Sequence, residues 1–271
     1  MHDCFTTSHY IELLTMMKQS GYRFIFFDEV NRDKNLREER VTIMRHDVDL
    51  SVEFAYRLAQ IEYEQQIKAT YFFLISSPFY NICEPNHVRM LQEMLQMGHR
   101  IGLHYDHEAY PKEIDMSASI LHEASLLSTI IQTPIQVFSY HRPTAELLST
   151  PIEIDLINAY HEDYLKAFRY LSDSNHGWKE GCLSNYIRGY RKLYVLIHPI
   201  WWVHDQLKSP MDKIEYFQNC IRTMHEKTLT NNIRGYKKYL LTSQWDIPMM
   251  ESSSHTNKQI YGASIDNDHS A

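Results

Sequence analysis

The sequence predicts an α/β fold built on parallel strands, and three observations carry that expectation. Short β-prone apolar runs alternate with stretches of helical spacing from residue 23 onward. Glycines such as Gly21 and Gly98 punctuate the joins. Residues able to bind a metal or move a proton stand just after the strand-like runs, where parallel α/β sheets and barrels gather their chemistry.

In order, residues 8–20 place Ile11, Leu13, Leu14, Met16 and Met17 near helical spacing, and Gly21 follows as a stop. RFIFF (23–27) is a short strand, a charged loop covers 31–40, and VTIMR (41–45) is a second strand with HDVD (46–49) just past its end. A helix over 51–65 carries Val52, Phe54, Ala55, Leu58, Ala59 and Ile61, and ATYFFLI (69–75) is a buried strand. The pattern repeats with a helix over 85–97, a strand ending at Leu103, a helix over 115–131 and the strand IQVFSY (135–140). Beyond Pro143 it is less regular, with strands near Tyr170 and at KLYVLI (192–197) and a final helical region over about 211–241, split near 230–232. One domain over 1–248 is expected, with a polar tail over 249–271 expected to be disordered.

Composition narrows the function. The chain has 271 residues, 44% hydrophobic and 23% charged, enough for one full core. Its formal charge of −7 lacks the basic excess that nucleic acid requires. The four cysteines, Cys4, Cys83, Cys182 and Cys220, form no CxxC pair. No segment approaches the ~18 apolar residues of a membrane span, and the first residues do not resemble a signal peptide, so a cytoplasmic protein is expected.

His46, Asp47, Asp49, His104, His141, Arg142 and His198 all follow predicted strands and would meet on one rim if the sheet closes. Asp47 and Asp49 suit a division of labour in which one carboxylate binds a divalent metal and the other takes a proton from water. Against this, a DxD is often a solvated turn, and Asp49 could cap the helix that begins after it. His99 is assigned to structure and His104, at the strand exit, to the metal. In LIHPIWW (196–202), His198 could give a proton to a leaving amine, with Trp201 in an aromatic wall suited to a sugar face.

Taken in order, these motifs resemble the NodB-type polysaccharide deacetylases (carbohydrate esterase 4-like), metal-dependent N- and O-deacetylases on a distorted (β/α) TIM-like barrel of about seven strands. The resemblance covers about 41–202. It is nearest to the branch with HDVD in its first motif, which includes proteins of bacterial surface-polysaccharide and O-antigen biosynthesis. RHDVD (45–49) is similar to the first motif, implying that Asp47 is the catalytic base and Asp49 a metal ligand. GHRIGLH (98–104) is similar to the second, implying His104 as a metal histidine. HRP (141–143) resembles the third, in which the arginine, here Arg142, orients the base. SDSNHGW (172–178) resembles the fourth, implying that Asp173 tunes the catalytic histidine and Trp178 lines the pocket. LIHP (196–199) resembles the fifth and makes His198 the general acid.

The family's second histidine, four residues after the first, is replaced here by Glu108. His141, His107 and Glu108 are the candidates for the third ligand, with His141 preferred because it stands at a strand end. The resemblance implies a divalent cofactor, zinc most simply, and an acetylated sugar or glycan as substrate, with no protein partner expected. The competing readings are a glycosyltransferase using Asp47-Val48-Asp49 to hold a nucleotide-sugar, and an inactive sugar-binding barrel.

Overall fold

Strands that are apolar on both faces need cover on both sides, and this sequence supplies it by returning through a helix after most strands. The computed structural model describes residues 5–32, 38–111, 113–179, 181–233 and 235–236. Helix α1 (Thr7–Gln19) leads to β1 (Arg23–Ile25), α2 (Glu29–Arg32), β2 (Val41–Val48), α3 (Val52–Glu64), β3 (Thr70–Phe73), α4 (Pro85–Gln96), β4 (Arg100–Tyr105) and α5 (Met116–Ile131). Then come β5 (Val137–Tyr140), α6 (Ala145–Ser149), β6 (Ile157–Asn158), α7 (Glu162–Ala167), β7 (Arg169–Ser172), α8 (Ser184–Ile187), β8 (Lys192–Ile197) and α9 (Pro210–Asn232).

Seven strands run in the order β6-β5-β4-β3-β2-β8-β7, with β1 beside the start of β2, and every pairing is parallel. The result is a distorted (β/α) barrel in which, among the described residues, no pairing joins β6 to β7. The chain divides into two compact units, Met1–Gln218 and Asn219–Ala271, and all the strands belong to the first. The final helical region is a single helix as far as Asn232, and the tail expected over 249–271 lies outside the described residues.

The two faces of the sheet bury different things. Inside the barrel, Ile25, Phe27, Val41, Ile43, Phe72 and Tyr194 form one apolar cluster. Outside it, Met44, Val48, Tyr71 and Leu103 pack with Leu13 and Leu14 of α1, Leu58 of α3, Leu91 of α4 and Leu127 of α5. Gly102 of β4 is required by this packing, because a Cβ there would lie 2.6 Å from two ring carbons of Phe72.

Strand β2 is longer than its composition suggests, and this changes the geometry of the site. It continues through Arg45, His46, Asp47 and Val48, all buried, so HDVD is mostly strand and only Asp49 lies past its end. Pairing with β3 and β8 on both sides (His46 opposite Tyr71 and Ile197) satisfies the backbone that a run of charged side chains would otherwise leave to solvent. Strand alternation then puts Arg45 and Asp47 inside the barrel and turns His46 outward, which corrects the expectation that His46 joins the rim. His46 Nε2 pairs with the buried Glu62 carboxylate of α3 at 2.7 Å, and the same carboxylate accepts from Tyr10 (2.5 Å) and Tyr71 (2.6 Å). His99 is structural as expected, with Nε2 on the Ala59 carbonyl at 3.0 Å.

Candidate active site

The strand ends deliver their side chains to one cavity of about 540 Å³, lined among others by Asp47, Asp49, His104, His141, His198 and Trp201. Asp49 is free to serve there because α3 is capped by another residue: Ser51 Oγ accepts from Phe54 N at 3.2 Å. Of the turn and cap alternatives for the DxD, neither describes this pair, since Asp47 is in the strand and Asp49 faces the cavity.

Asp49, His104 and His141 offer one ligand atom each within 4.8 Å of one another. Asp49 Oδ1 stands 3.1 Å from His104 Nε2 and 3.4 Å from His141 Nδ1, yet it is buried and in hydrogen-bonding geometry with neither. An orphaned carboxylate oxygen facing two imidazole nitrogens is what a cation-binding set requires, because a cation satisfies all three lone pairs at once. Ser139 Oγ lies 2.7 Å from His104 Nδ1 and fixes the ring so that Nε2 faces the cluster. Burial alone would raise the Asp49 carboxyl, but His104 and His141 outweigh it and hold the group well below the usual carboxylate range. An oxygen and two nitrogens, with a cavity beside them, could hold a divalent metal ion.

Of the three candidates for the third ligand, the structure brings His141 into the cluster. The Glu108 carboxylate is taken by Arg142 Nη1 at 2.7 Å, and His107, in a 3-10 turn after β4, has a buried Nδ1 with no hydrogen bond.

Asp47 sits deeper, 3% exposed, and both its oxygens are engaged by Arg45, at 2.8 Å to Nε and 2.7 Å to Nη2. Arg142 does not orient it. That arginine instead bonds Asp106 and Glu108 at the rim, each at 2.7 Å, because its backbone turns left-handed (φ +50°) just past β5 and carries the side chain toward the exit of β4. Arg45 reaches Asp47 because residues two apart on a strand share a face. Its guanidinium lies 4.3 Å from the Tyr160 ring centre and gives a hydrogen bond to Tyr194 Oη at 3.0 Å. Burial pushes Asp47 up, but Arg45, with smaller help from His104 and His198, wins and keeps it below the ordinary carboxylate value.

On the opposite side stands His198. The buried Asp173 carboxylate takes its ring Nδ1–H at 2.6 Å and its backbone N–H at 3.0 Å, and Trp202 Nε1–H at 2.7 Å. His198 Nε2 is left facing the cavity, 3.9 Å from Asp49 Oδ2. Burial disfavours the imidazolium, yet Asp173 overrides it and raises His198 to about 9. Trp201 lines the cavity, whereas Trp178 lines a second hollow of about 360 Å³ that shares Pro143, Tyr160 and Ser174 with the first.

Arg45, Ser139 and Trp202 were not picked out as site residues from sequence. The i, i+2 spacing of Arg45 and Asp47 was a usable signal once β2 is drawn to its full length, and so was the i, i+2 spacing of Ser139 and His141. For Trp202 there was none, because its contact with Asp173 spans 29 residues.

No family model matches the sequence, and no curated protein matches it. Among solved structures the chain is similar to a deacetylase, PplD, from Streptococcus pyogenes, at 17% identity over 70% of this chain and 80% of that one, with a TM-score of 0.43. It is also similar to a family 4 carbohydrate esterase from Bacillus anthracis (14% identity, 81% of this chain and 86% of that one, TM-score 0.41). A CE4 family pseudoenzyme from Bacillus anthracis matches at 12% identity over 68% of this chain, with a TM-score of 0.39. The chain covers 62% of that protein, less than two thirds of its length.

Proposed function

We propose that the protein is a metal-dependent hydrolase that removes an acetyl group from a sugar. The observation that carries the proposal is the placement, around one cavity, of the Asp49–His104–His141 donor set between a carboxylate locked by Arg45 and a histidine backed by Asp173. A divalent ion, zinc most simply, held by those three residues would supply Lewis-acid polarisation of water and of an acyl carbonyl oxygen.

The chain's own groups divide the proton transfers. Asp47, kept ionised by Arg45, accepts the proton of the attacking water. His198 carries a proton on Nε2 at neutral pH and faces the cavity, so it can donate to the nitrogen or oxygen of the leaving sugar. Asp173 holds that ring by Nδ1 and leaves Nε2 as the only ring nitrogen able to deliver the proton. Trp201 offers an aromatic face at the cavity wall for the apolar side of a sugar ring. A place in the assembly of a bacterial surface polysaccharide, in the cytoplasm, is the setting we assign, and the HDVD form of the first motif supports it.

A nucleotide-sugar glycosyltransferase holding a metal through Asp47-Val48-Asp49 would leave the histidines at the later strand ends, His104, His141 and His198, without a role. The deciding experiment measures acetate release from a panel of N- and O-acetylated sugars, together with metal content, in wild type and Asp47→Asn. The variant should keep its metal and lose turnover by about 10²- to 10⁴-fold. Undiminished turnover would remove Asp47 as the base, and a metal-free, inactive wild type would point to the sugar-binding barrel instead.

A further inference from the structure

The exits of β4 and β5 are joined residue by residue. His104 lies opposite Ser139 and Tyr105 opposite Tyr140 in the ladder, and His141 N then donates to the Tyr105 carbonyl at 2.8 Å. The next rung is made by side chains: Arg142 Nη2 donates to Asp106 Oδ2 at 2.7 Å, and Arg142 Nη1 meets Glu108 Oε2 at 2.7 Å. His104 and His141 stand within this ladder, one on each strand.

Arg142 has a left-handed backbone (φ +50°), a conformation that residues other than glycine rarely keep unless their surroundings impose it. His141 continues the alternation of β5 and so faces Asp49, and the turn at Arg142 sends the next side chain back across the gap to Asp106. A planar guanidinium engages two carboxylates in directions fixed by its fork, whereas an ammonium acts as a compact charge with rotatable donors. The fork also occupies Glu108, the residue four places after His104, and so leaves Asp49, His104 and His141 as the donor set.

We propose that Arg142 is a positioning residue for the metal centre. By bridging Asp106 and Glu108 it locks the exits of β4 and β5 together, fixes the angle at which His104 and His141 meet Asp49, and keeps the Glu108 carboxylate out of the site. This rests on the metal-dependent reading of the same cavity. The bridge touches no ligand directly and is half-exposed, so its removal is expected to weaken metal binding by about 2- to 10-fold.

The test is titration of metal-free full-length protein with Co²⁺ and Zn²⁺, following affinity by calorimetry and geometry by the visible absorption of bound Co²⁺. Glu108→Gln serves as the reference background, so that a freed carboxylate cannot enter the site, and the Arg142 variants are built on it and compared with it. Arg142→Met in that background should bind about 2- to 10-fold more weakly, with an altered Co²⁺ spectrum. Arg142→Lys should recover little of the loss. The Arg142 side chain is 53% exposed and Met tolerates the same φ no worse than Arg, so these variants fold, and circular dichroism checks that they do. Asp106→Asn breaks the bridge from its other side and should weaken binding in the same way. If the Glu108→Gln protein and the Arg142 variants built on it bind with equal affinity and identical spectra, the positioning role is overturned while the deacetylase reading stands. If wild type binds neither ion, both fall together.

Discussion

The proton inventory of the site is set by two carboxylates in opposite situations. Asp47 is neutralised by one arginine and stays ionised, whereas Asp173 spends its charge on the ring and backbone of His198 and on the Trp202 indole. His198 titrates at about 9, above the 6.5 of an ordinary histidine. Its pairing with Asp173 therefore stabilises the fold fully below pH 6.5, and that contribution is lost as pH rises through about 9. A cation at the Asp49 cluster would repel the imidazolium, so metal-loaded protein should show a lower value than metal-free protein. NMR titration of the His198 ring checks both numbers. In Asp173→Asn the ring should lose its elevated value, and the alkaline limb of the activity profile should move to lower pH. An unmoved limb would show that His198 is not the group that sets it.

Among the elements, β2 and β4 determine how closely the working residues approach. β4 supplies His104 and can lie against β3 and β5 because Gly102 leaves room for the Phe72 ring. Gly102→Ala should cost about 1–3 kcal/mol of unfolding free energy through overpacking, read from denaturant midpoints. Activity should fall with it, because a shifted β4 displaces His104. The alternation of strands and helices was legible in the sequence because apolar periodicity reports burial, and Asp49, His104, His141 and His198 were legible because they stand at strand ends. The length of β2 was not. Arg, His and Asp in succession look like the end of a buried strand, and the partners that make their burial tolerable (Tyr160, Tyr194, Glu62 and Tyr71) are supplied by other elements. The two-residue β6 was likewise invisible, since so short a strand carries no period of its own. Arg142 departs from the role its motif implies for a related reason: a motif fixes the residue type, but the left-handed turn that redirects its side chain has no signature in an arginine.

For the whole molecule, any ligand that binds only the folded chain stabilises it by mass action. Zinc or cobalt at about a hundred times its dissociation constant should add about 2.7 kcal/mol, raising the melting temperature reversibly on addition and lowering it again with a chelator. Asp49→Ala should abolish that response, since it removes the oxygen that faces both histidines; a retained response would place the metal elsewhere. The burial of Arg45 and Asp47, 0% and 4% exposed as side chains, has a further consequence for the solutions in which the protein can work. Mobile ions weaken interactions between charges they can surround, over a length of about 8 Å at physiological ionic strength, and a pair this buried is screened much less. Brine and dilute buffer should therefore leave Asp47 ionised to much the same extent, while the half-exposed bridge of Arg142 at the rim loosens as salt rises. The proposed base and the proposed metal centre should thus differ in their tolerance of ionic strength.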